Sequence, residues 1–395
     1  MSSDSLAIKI PSTILPLTTR TKNQASARLL FFSGGSALAG FSRTLKKHTQ
    51  NSQHLITTFD SGGCSAQLRK FFKMPAVGDI RNRLLALADN KQPAVSHLIH
   101  ILGLRFAKHG SPDCLKQTLL SLTDLENPLY ASVGLDSSKT IIFYLNYFAQ
   151  HMPADFDLRN SSVGNLCLAA AYLHHNRNLQ AVIDEFSQLL ALQGQVYPVI
   201  NGYYDLTAEL IDGRVVSGQH KLTGKEVSPL TCKIKSVYLT APENHHLSVE
   251  ISAEKEVIDS IKHAELICYP PGSFYSSVIA NLLPKGIGHT ISQNPCHKVY
   301  IPNLAKDPEQ LDMSLLDCVQ TILKYLKKDA PTASNINLLT WVLMDENQYS
   351  LADKQDIDAI IELGINIKTS VLISQRSAPY YDPTLLSECL TSLAQ

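Results

Sequence analysis

The chain has 395 residues, 44% hydrophobic and only 18% charged, with 35 Lys+Arg balanced by 35 Asp+Glu. That composition excludes an intrinsically disordered chain, and the zero net charge argues against a general nucleic-acid binder, which carries a basic excess. At about 150 residues per domain the length allows two to three units, or one large α/β domain with elaborations, and it guarantees a sizeable core. The eight cysteines are scattered without a CxxC pair. Neither a zinc knuckle nor a disulfide framework is indicated, and a reducing cytoplasm is the expected home. No run reaches the roughly 18 apolar residues of a membrane helix. Met1-Ser2-Ser3-Asp4-Ser5 has neither the basic nor the apolar region of a signal peptide, so the expectation is a cytoplasmic protein that does not engage a membrane.

In chain order, residues 1–26 are Ser/Thr-rich and weakly periodic and are expected to form an N-terminal arm. Order is predicted from Arg28-Leu29-Leu30-Phe31-Phe32, an apolar run closed by Ser33-Gly34-Gly35, as suits a strand buried on both faces. Ala37, Leu38, Phe41 and Leu45 follow at helical spacing, and Leu55–Phe59 reads as a second strand ending at Asp60. Strand, glycine turn, helix, strand is one βαβ unit. Helical periodicity then covers 79–89, 96–108, 114–122, 139–148, 165–174 and 178–190, with a strand over 195–200. Residues 206–219, broken by Asp212-Gly213, predict a β-hairpin, because Asp-Gly supplies the positive φ of a type I′ turn. Further strands are predicted at 236–240, 265–269, 299–302, 338–343 and 367–373. Helices are predicted at 255–263, 274–283, 312–327, 354–363 and 383–393.

This alternation predicts an α/β fold: a doubly wound, mostly parallel, Rossmann-like sheet with helical and hairpin insertions. The expected units are the arm (1–26), a ligand-binding domain (27–305) and a C-terminal α/β extension (306–395) packed on it.

Ligands of doubly wound sheets bind at the carboxyl ends of strands. Four strand-end segments carry suitable chemistry. In Gly34-Gly35-Ser36, amides at a helix start and a hydroxyl can cradle a phosphate, although neither GxGxxG nor a P-loop is present. Asp60-Ser61-Gly62-Gly63 places an acid 25 residues after Gly35, suited to a ribose hydroxyl, a magnesium ion or a base, or to plain turn capping; Arg69 beyond it can complement a diphosphate. In Gly78-Asp79-Ile80-Arg81-Asn82, Asp79 is also a good helix N-cap. Gly272-Ser273-Phe274-Tyr275-Ser276 again puts amides and hydroxyls at a strand-to-helix junction. Two such junctions suit a ligand with two phosphates. No HExxH or GxSxG occurs, which speaks against a zinc enzyme and an α/β-hydrolase.

These segments, in this order, resemble the family that unites 2-phospho-L-lactate transferase with the bacterial gluconeogenesis factor. Gly34-Gly35-Ser36-Ala37-Leu38 is similar to its Gly-Gly-Thr-Gly-Leu, and Asp60–Arg69 resembles Asp-Asp-Gly-Gly-Ser-Ser-Gly-x-Leu-Arg. Pro75–Asn82 resembles Pro-Pro-Gly-Asp-Ile-Arg-Asn. Gly164-Asn165-Leu166 is similar to a Gly-Asn-Leu helix start, and Pro270–Ser277 to Gly-Pro-Gly-Ser-Leu-Tyr-Thr-Ser. The resemblance spans Leu29 to Leu304. It implies a homodimer that binds a small nucleotide-diphosphate ligand through Gly34, Gly35, Ser36, Gly62, Gly63, Arg69, Gly78, Arg81, Asn82, Gly164, Asn165, Gly272, Ser273, Tyr275 and Ser276.

In the transferase branch, Asp60 and Asp79 would be catalytic and hold magnesium while a phospholactyl or phosphoenolpyruvyl group passes from a guanosine-diphosphate carrier to a deazaflavin alcohol. In the regulator branch the same cleft only binds a uridine-diphosphate sugar. The Gly-Asp-Ile-Arg-Asn run resembles the regulators more closely. Ala37, Ser61 and Pro270 depart from the family pattern and define a divergent subgroup, similar to the GAK-system CofD-like proteins. Ser61 removes one of two neighbouring carboxylates, which weakens the case for magnesium and tilts the expectation toward binding over catalysis.

Overall fold

The computed structural model describes residues 27–35, 37–224 and 228–394; the arm and Ser36 lie outside the described residues. Its centre is β1 (Leu29–Ser33), whose side chains are wholly buried because helices cover both faces of the sheet. β2 (Ser52–Ile56) and β3 (Gln195–Pro198) continue the sheet on one side. An insertion then supplies β4 (Asp205–Leu210), β5 (Val215–Ser217), β6 (Ile234–Ala241) and β7 (Asn244–Ser248). The chain returns to the main sheet with β8 (Leu266–Tyr269), β9 (His297–Tyr300), β10 (Trp341–Asp345) and β11 (Asn366–Ser370).

The main sheet has seven strands in the order β11-β10-β9-β8-β1-β2-β3, every pair parallel. It is flanked by helices, so the α/β Rossmann-like expectation holds. Alternation along β1 divides the core: Leu30 and Phe32 face one layer with Tyr269 and Tyr300, while Leu29 and Phe31 face helices Ala39–Leu45 and Pro383–Leu393. Between β2 and β3 the chain inserts a helical layer from Gly63 to Leu189 with its own apolar core. Residues 306–395 contribute β10 and β11 to the same sheet, where β10 pairs directly with β9.

Several boundaries differ from the sequence expectation. The second strand is Ser52–Ile56 rather than 55–59, since its polar residues are accommodated. Gln53 donates to Gln195 across the ladder at 2.9 Å, and His54 stacks on Phe31 at 5.3 Å. Burial holds His54 well below the usual imidazole range, with the Arg83 charge adding to the effect. The Asp212-Gly213 hairpin forms between β4 and β5, with Gly213 at φ +86°. β7 was not expected: it is exposed and polar and carries no apolar alternation. The predicted helix 274–283 is instead a π-turn, Phe274–Val278, followed by a 3-10 turn, Ile279–Leu282.

Candidate functional site

The winding reverses between β1 and β8. The chain leaves β1 toward β2 and β3 on one side, and later builds β8 to β11 on the other. At such a switch point the loops diverge and leave a crevice at the carboxyl ends of the strands. A cleft of about 190 Å3 opens there. Its floor is Gly34 and Gly35 after β1; Asp60 and Gly62 follow β2, and Gly272 and Ser273 follow β8. Asp79 closes it from helix Gly78–Leu87, and Gln219, His220 and Thr223 descend from the insertion.

Close approach explains the glycines. A Cβ on Gly35 would collide with the Asp79 carboxylate and lie 2.8 Å from its Cα, and one on Gly34 would lie 2.5 Å from Ser277 Oγ. A Cβ on Gly78 would fall 3.0 Å from Asp60 Oδ2 and 2.8 Å from Ser65 Oγ, so both acids flank this helix start. Asp60 also accepts the Gly62 amide at 3.1 Å, fixing the turn into helix Gly63–Phe72. Gly63 itself is exposed at φ +46°.

Residues two apart on a helix face opposite ways. Asp79 therefore meets the β1 turn, while Arg81 points to helix Val163–His174, where a Cβ on Gly164 would lie 2.8 Å from Arg81 Cδ. Arg81 is only 8% exposed, and Asn82 Oδ1 accepts one of its N–H groups at 2.7 Å. Its Nε and Nη1 have no partner among the described residues, nor do the buried Ser162 Oγ and Asn165 Oδ1 at the start of the facing helix. Burial drives the Arg81 guanidinium down to about 10; Arg105 adds to the shift, and Cys64, Asp79 and Asp60 oppose it. A buried cation with free donors near two acids is a place where a polar ligand group gains much.

Of the expected ligand residues, Gly34, Gly35, Gly62, Gly272 and Ser273 line the cleft; Gly63, Gly78, Arg81, Gly164 and Asn165 stand outside its lining, and so do four whose side chains are turned elsewhere. Arg69 is buried against the insertion, paired with Asp205 at 2.7 Å and seated over Tyr203. The Tyr275 hydroxyl donates to Ile234 O at 3.4 Å in the core. Ser276 turns to Glu309, donating its amide at 2.8 Å and its hydroxyl at 2.5 Å. Asn82 serves Arg81. Much of the second junction is already used internally, because Asn303 Oδ1 accepts the Gly272 amide (2.8 Å) and Asp307 accepts that of Phe274 (2.7 Å). The chain's own carboxylates thus stand where a second phosphate was expected, and burial with the Asp307 charge raises Glu309 to about 7.

Sequence reasoning missed Arg83, which is fully buried beneath the β1 turn. It donates to Gly34 O at 2.9 Å, Leu38 O at 3.1 Å, Ser33 Oγ at 3.2 Å, and to Ser42 Oγ. Its position four residues after Asp79, on the same helix face, was the available signal. Asp60 and Asp79 are the two carboxylates that line the cleft, and no cluster of three metal-ligating side chains occurs among the described residues. Magnesium takes one or two carboxylates and completes its shell with water and phosphate, so this pair fits it only as the protein's share of a phosphate-bound ion.

The profile of 2-phospho-L-lactate transferase CofD matches residues 29–370. The chain belongs to the CofD family. The match runs past Leu304, where the motif resemblance stopped, and takes in β10 and β11. Among CofD-family relatives, the gluconeogenesis factor of Bacillus subtilis is 31% identical over 300 residues, covering 76% of this chain and 75% of that one. A putative gluconeogenesis factor of Aquifex aeolicus is 26% identical over 375 residues, 92% and 95% of the two chains. The crystal structure of a UPF0052 family member from Bacillus halodurans superposes with a TM-score of 0.66 at 23% identity, covering 92% of this chain and 99% of that one; it shares the fold. No helix among the described residues is long and apolar enough to cross a membrane.

Proposed function

We propose that this CofD-family protein binds a nucleoside-diphosphate ligand in the β1/β8 cleft and acts as a regulator of the gluconeogenesis-factor type, working as a homodimer in the cytoplasm. The observation that carries this is the convergence on one switch-point crevice of an open glycine turn and two acids, Asp60 and Asp79, with the buried Arg81 two residues beyond Asp79 on the same helix. Backbone amides and a guanidinium suffice to hold a diphosphate, and binding alone requires no paired acids. The names of the Bacillus and Aquifex relatives support the regulatory branch.

A second reading is favoured by one observation: Asp60 and Asp79 share the cleft. On that reading the protein is a transferase that moves a phospholactyl- or phosphoenolpyruvyl-type group from a guanosine-diphosphate carrier to a deazaflavin-type alcohol. Asp60 and Asp79 would hold magnesium, which spreads the negative charge of the transferred group. Asp60 or Asp79 would accept the proton of the attacking hydroxyl, and Arg81 would orient the group beyond the diphosphate.

The test is a thermal-shift titration with uridine- and guanosine-diphosphate ligands, with and without magnesium. A ligand at about 100 times its Kd adds about 2.7 kcal/mol of stability, enough to move the melt. A magnesium-independent shift by a uridine-diphosphate sugar supports the regulator, and a shift that needs magnesium and a guanosine nucleotide supports the transferase. In either case Asp60→Asn separates the roles: turnover disappears if Asp60 is catalytic, whereas affinity only weakens if the cleft is a sensor. No shift with any nucleotide overturns the ligand class.

A further inference from the structure

One polar pair at the cleft belongs to neither the glycine turn nor the acids. Ser61 and His220, 159 residues apart in sequence, meet with Ser61 Oγ 2.8 Å from His220 Nδ1. The His220 amide donates to the same Oγ at 3.3 Å. Gly218, at φ +103°, makes the turn that brings them together, and a Cβ there would lie 3.1 Å from both Ser61 Oγ and His220 Cε1. The imidazole thus turns its Nδ1–Cε1 edge to Ser61 and Gly218, and His220 lines both the cleft and the outer hollow. Its Nε2 makes no hydrogen bond among the described residues. Ser61 lines only the outer hollow, so the pair is not set up as nucleophile and base toward the cleft. The charged and titratable groups nearby are Asp60 and Asp79 in the cleft, and Lys221, His245, His246 and Arg69-bound Asp205 on the outer side.

A neutral imidazole has one donor and one acceptor nitrogen, and the partner of one fixes the role of the other. Ser61 Oγ accepts the His220 amide and has one proton to give, and Nδ1 is in line to take it. Nδ1 is then the acceptor and Nε2 carries the N–H. The other tautomer would send two N–H donors to one hydroxyl and leave a bare lone pair at Nε2, which repels phosphate oxygens. We infer that His220, oriented by Ser61, is a direct anion-contacting residue whose Nε2–H donates to a phosphate oxygen in the cleft, so that diphosphate binding there needs no divalent metal. This rests on the cleft being the diphosphate site.

The test is calorimetric titration of inorganic pyrophosphate and uridine diphosphate into the full chain in EDTA, with thermal melts confirming that each variant is folded. The wild type is expected to bind without metal. His220→Ala should weaken binding by about tenfold, the size of one charge-assisted hydrogen bond. His220→Gln, whose amide nitrogen reaches the Nε2 position, should recover most of that loss, and Ser61→Ala should cost about threefold by releasing the ring. Rescue by glutamine is the readout that a merely structural role would not move. Wild-type affinity in His220→Ala, glutamine no better than alanine, or binding that requires magnesium overturns the inference. Gly35→Val separates the two claims. If it abolishes binding while His220→Ala keeps wild-type affinity, the cleft stands and the histidine's role falls; if the wild type binds neither probe with or without magnesium, both fall.

Discussion

Arg83→Met removes the guanidinium under the β1 turn while roughly keeping the side chain's volume. Four hydrogen bonds disappear, but not all four acceptors become orphans. Leu38 O still receives the Ser42 hydroxyl at 2.9 Å and the Ser42 amide at 2.9 Å. The hydroxyls of Ser33 and Ser42 can rotate. Gly34 O, buried at the cleft floor, loses the Arg83 bond at 2.9 Å. Leaving that acceptor unsatisfied costs about 1–3 kcal/mol. Asp79, whose charge favours ionised Arg83, loses its neighbour as well, while relief of the buried charge offsets part of the loss. Burial already lowers Arg83 to about 10, so the offset is real. The net expectation is destabilisation of about 2–3 kcal/mol, since removing one member of a buried charged network costs more than the desolvation it relieves. Urea unfolding with an unchanged slope and a lower midpoint is the readout, and pyrophosphate affinity should fall with it as the Gly34–Leu38 arc loosens. Equal or greater stability than wild type would refute the claim that Arg83 holds the turn.

Three other outcomes are expected. Gly35→Val should abolish ligand binding and lower the melt, because its Cβ meets both the Asp79 carboxylate and the Asp79 backbone, which cannot swing aside as a side-chain tip can; nucleotide titration and the melt check it. Glu309, raised to about 7 by burial and by Asp307, binds its proton more tightly in the folded state than in the unfolded one. Its contribution to stability is therefore fully present below the ordinary carboxylate pKa and lost as pH rises through about 7. Wild-type urea midpoints should fall between pH ~5 and ~8, and Glu309→Gln should flatten that decline. Tyr325→Phe removes the acceptor of the Val237 amide (2.6 Å) and the donor to Val237 O (3.2 Å), and should cost about 1–3 kcal/mol in the same assay.

The sequence by itself determined the alternation of strands and helices, the doubly wound class, the family and the segments from which the cleft is made. Apolar runs such as Leu29–Phe32, closed by glycine, have one reading that satisfies both burial and backbone hydrogen bonding. Gly34, Gly35, Asp60, Asp79, Gly272 and Ser273 were found this way because each sits just past a strand or at a helix start, and all of them line or close the crevice. Other features were not readable. β2 starts early at Ser52-Gln53-His54, where tertiary partners compensate polar residues that local propensity disfavours. Only the tertiary structure decided which donors remain free. Arg69 is spent on Asp205, the amides of Gly272, Phe274 and Ser276 on the 303–309 segment, and Arg83 on the β1 turn, whereas Arg81 keeps two donor nitrogens and His220 arrives from the insertion. The physical reason is that a hydrogen bond is an exclusive claim on an atom. Residue type states what an atom can do, and long-range packing alone states whether another part of the chain has already claimed it.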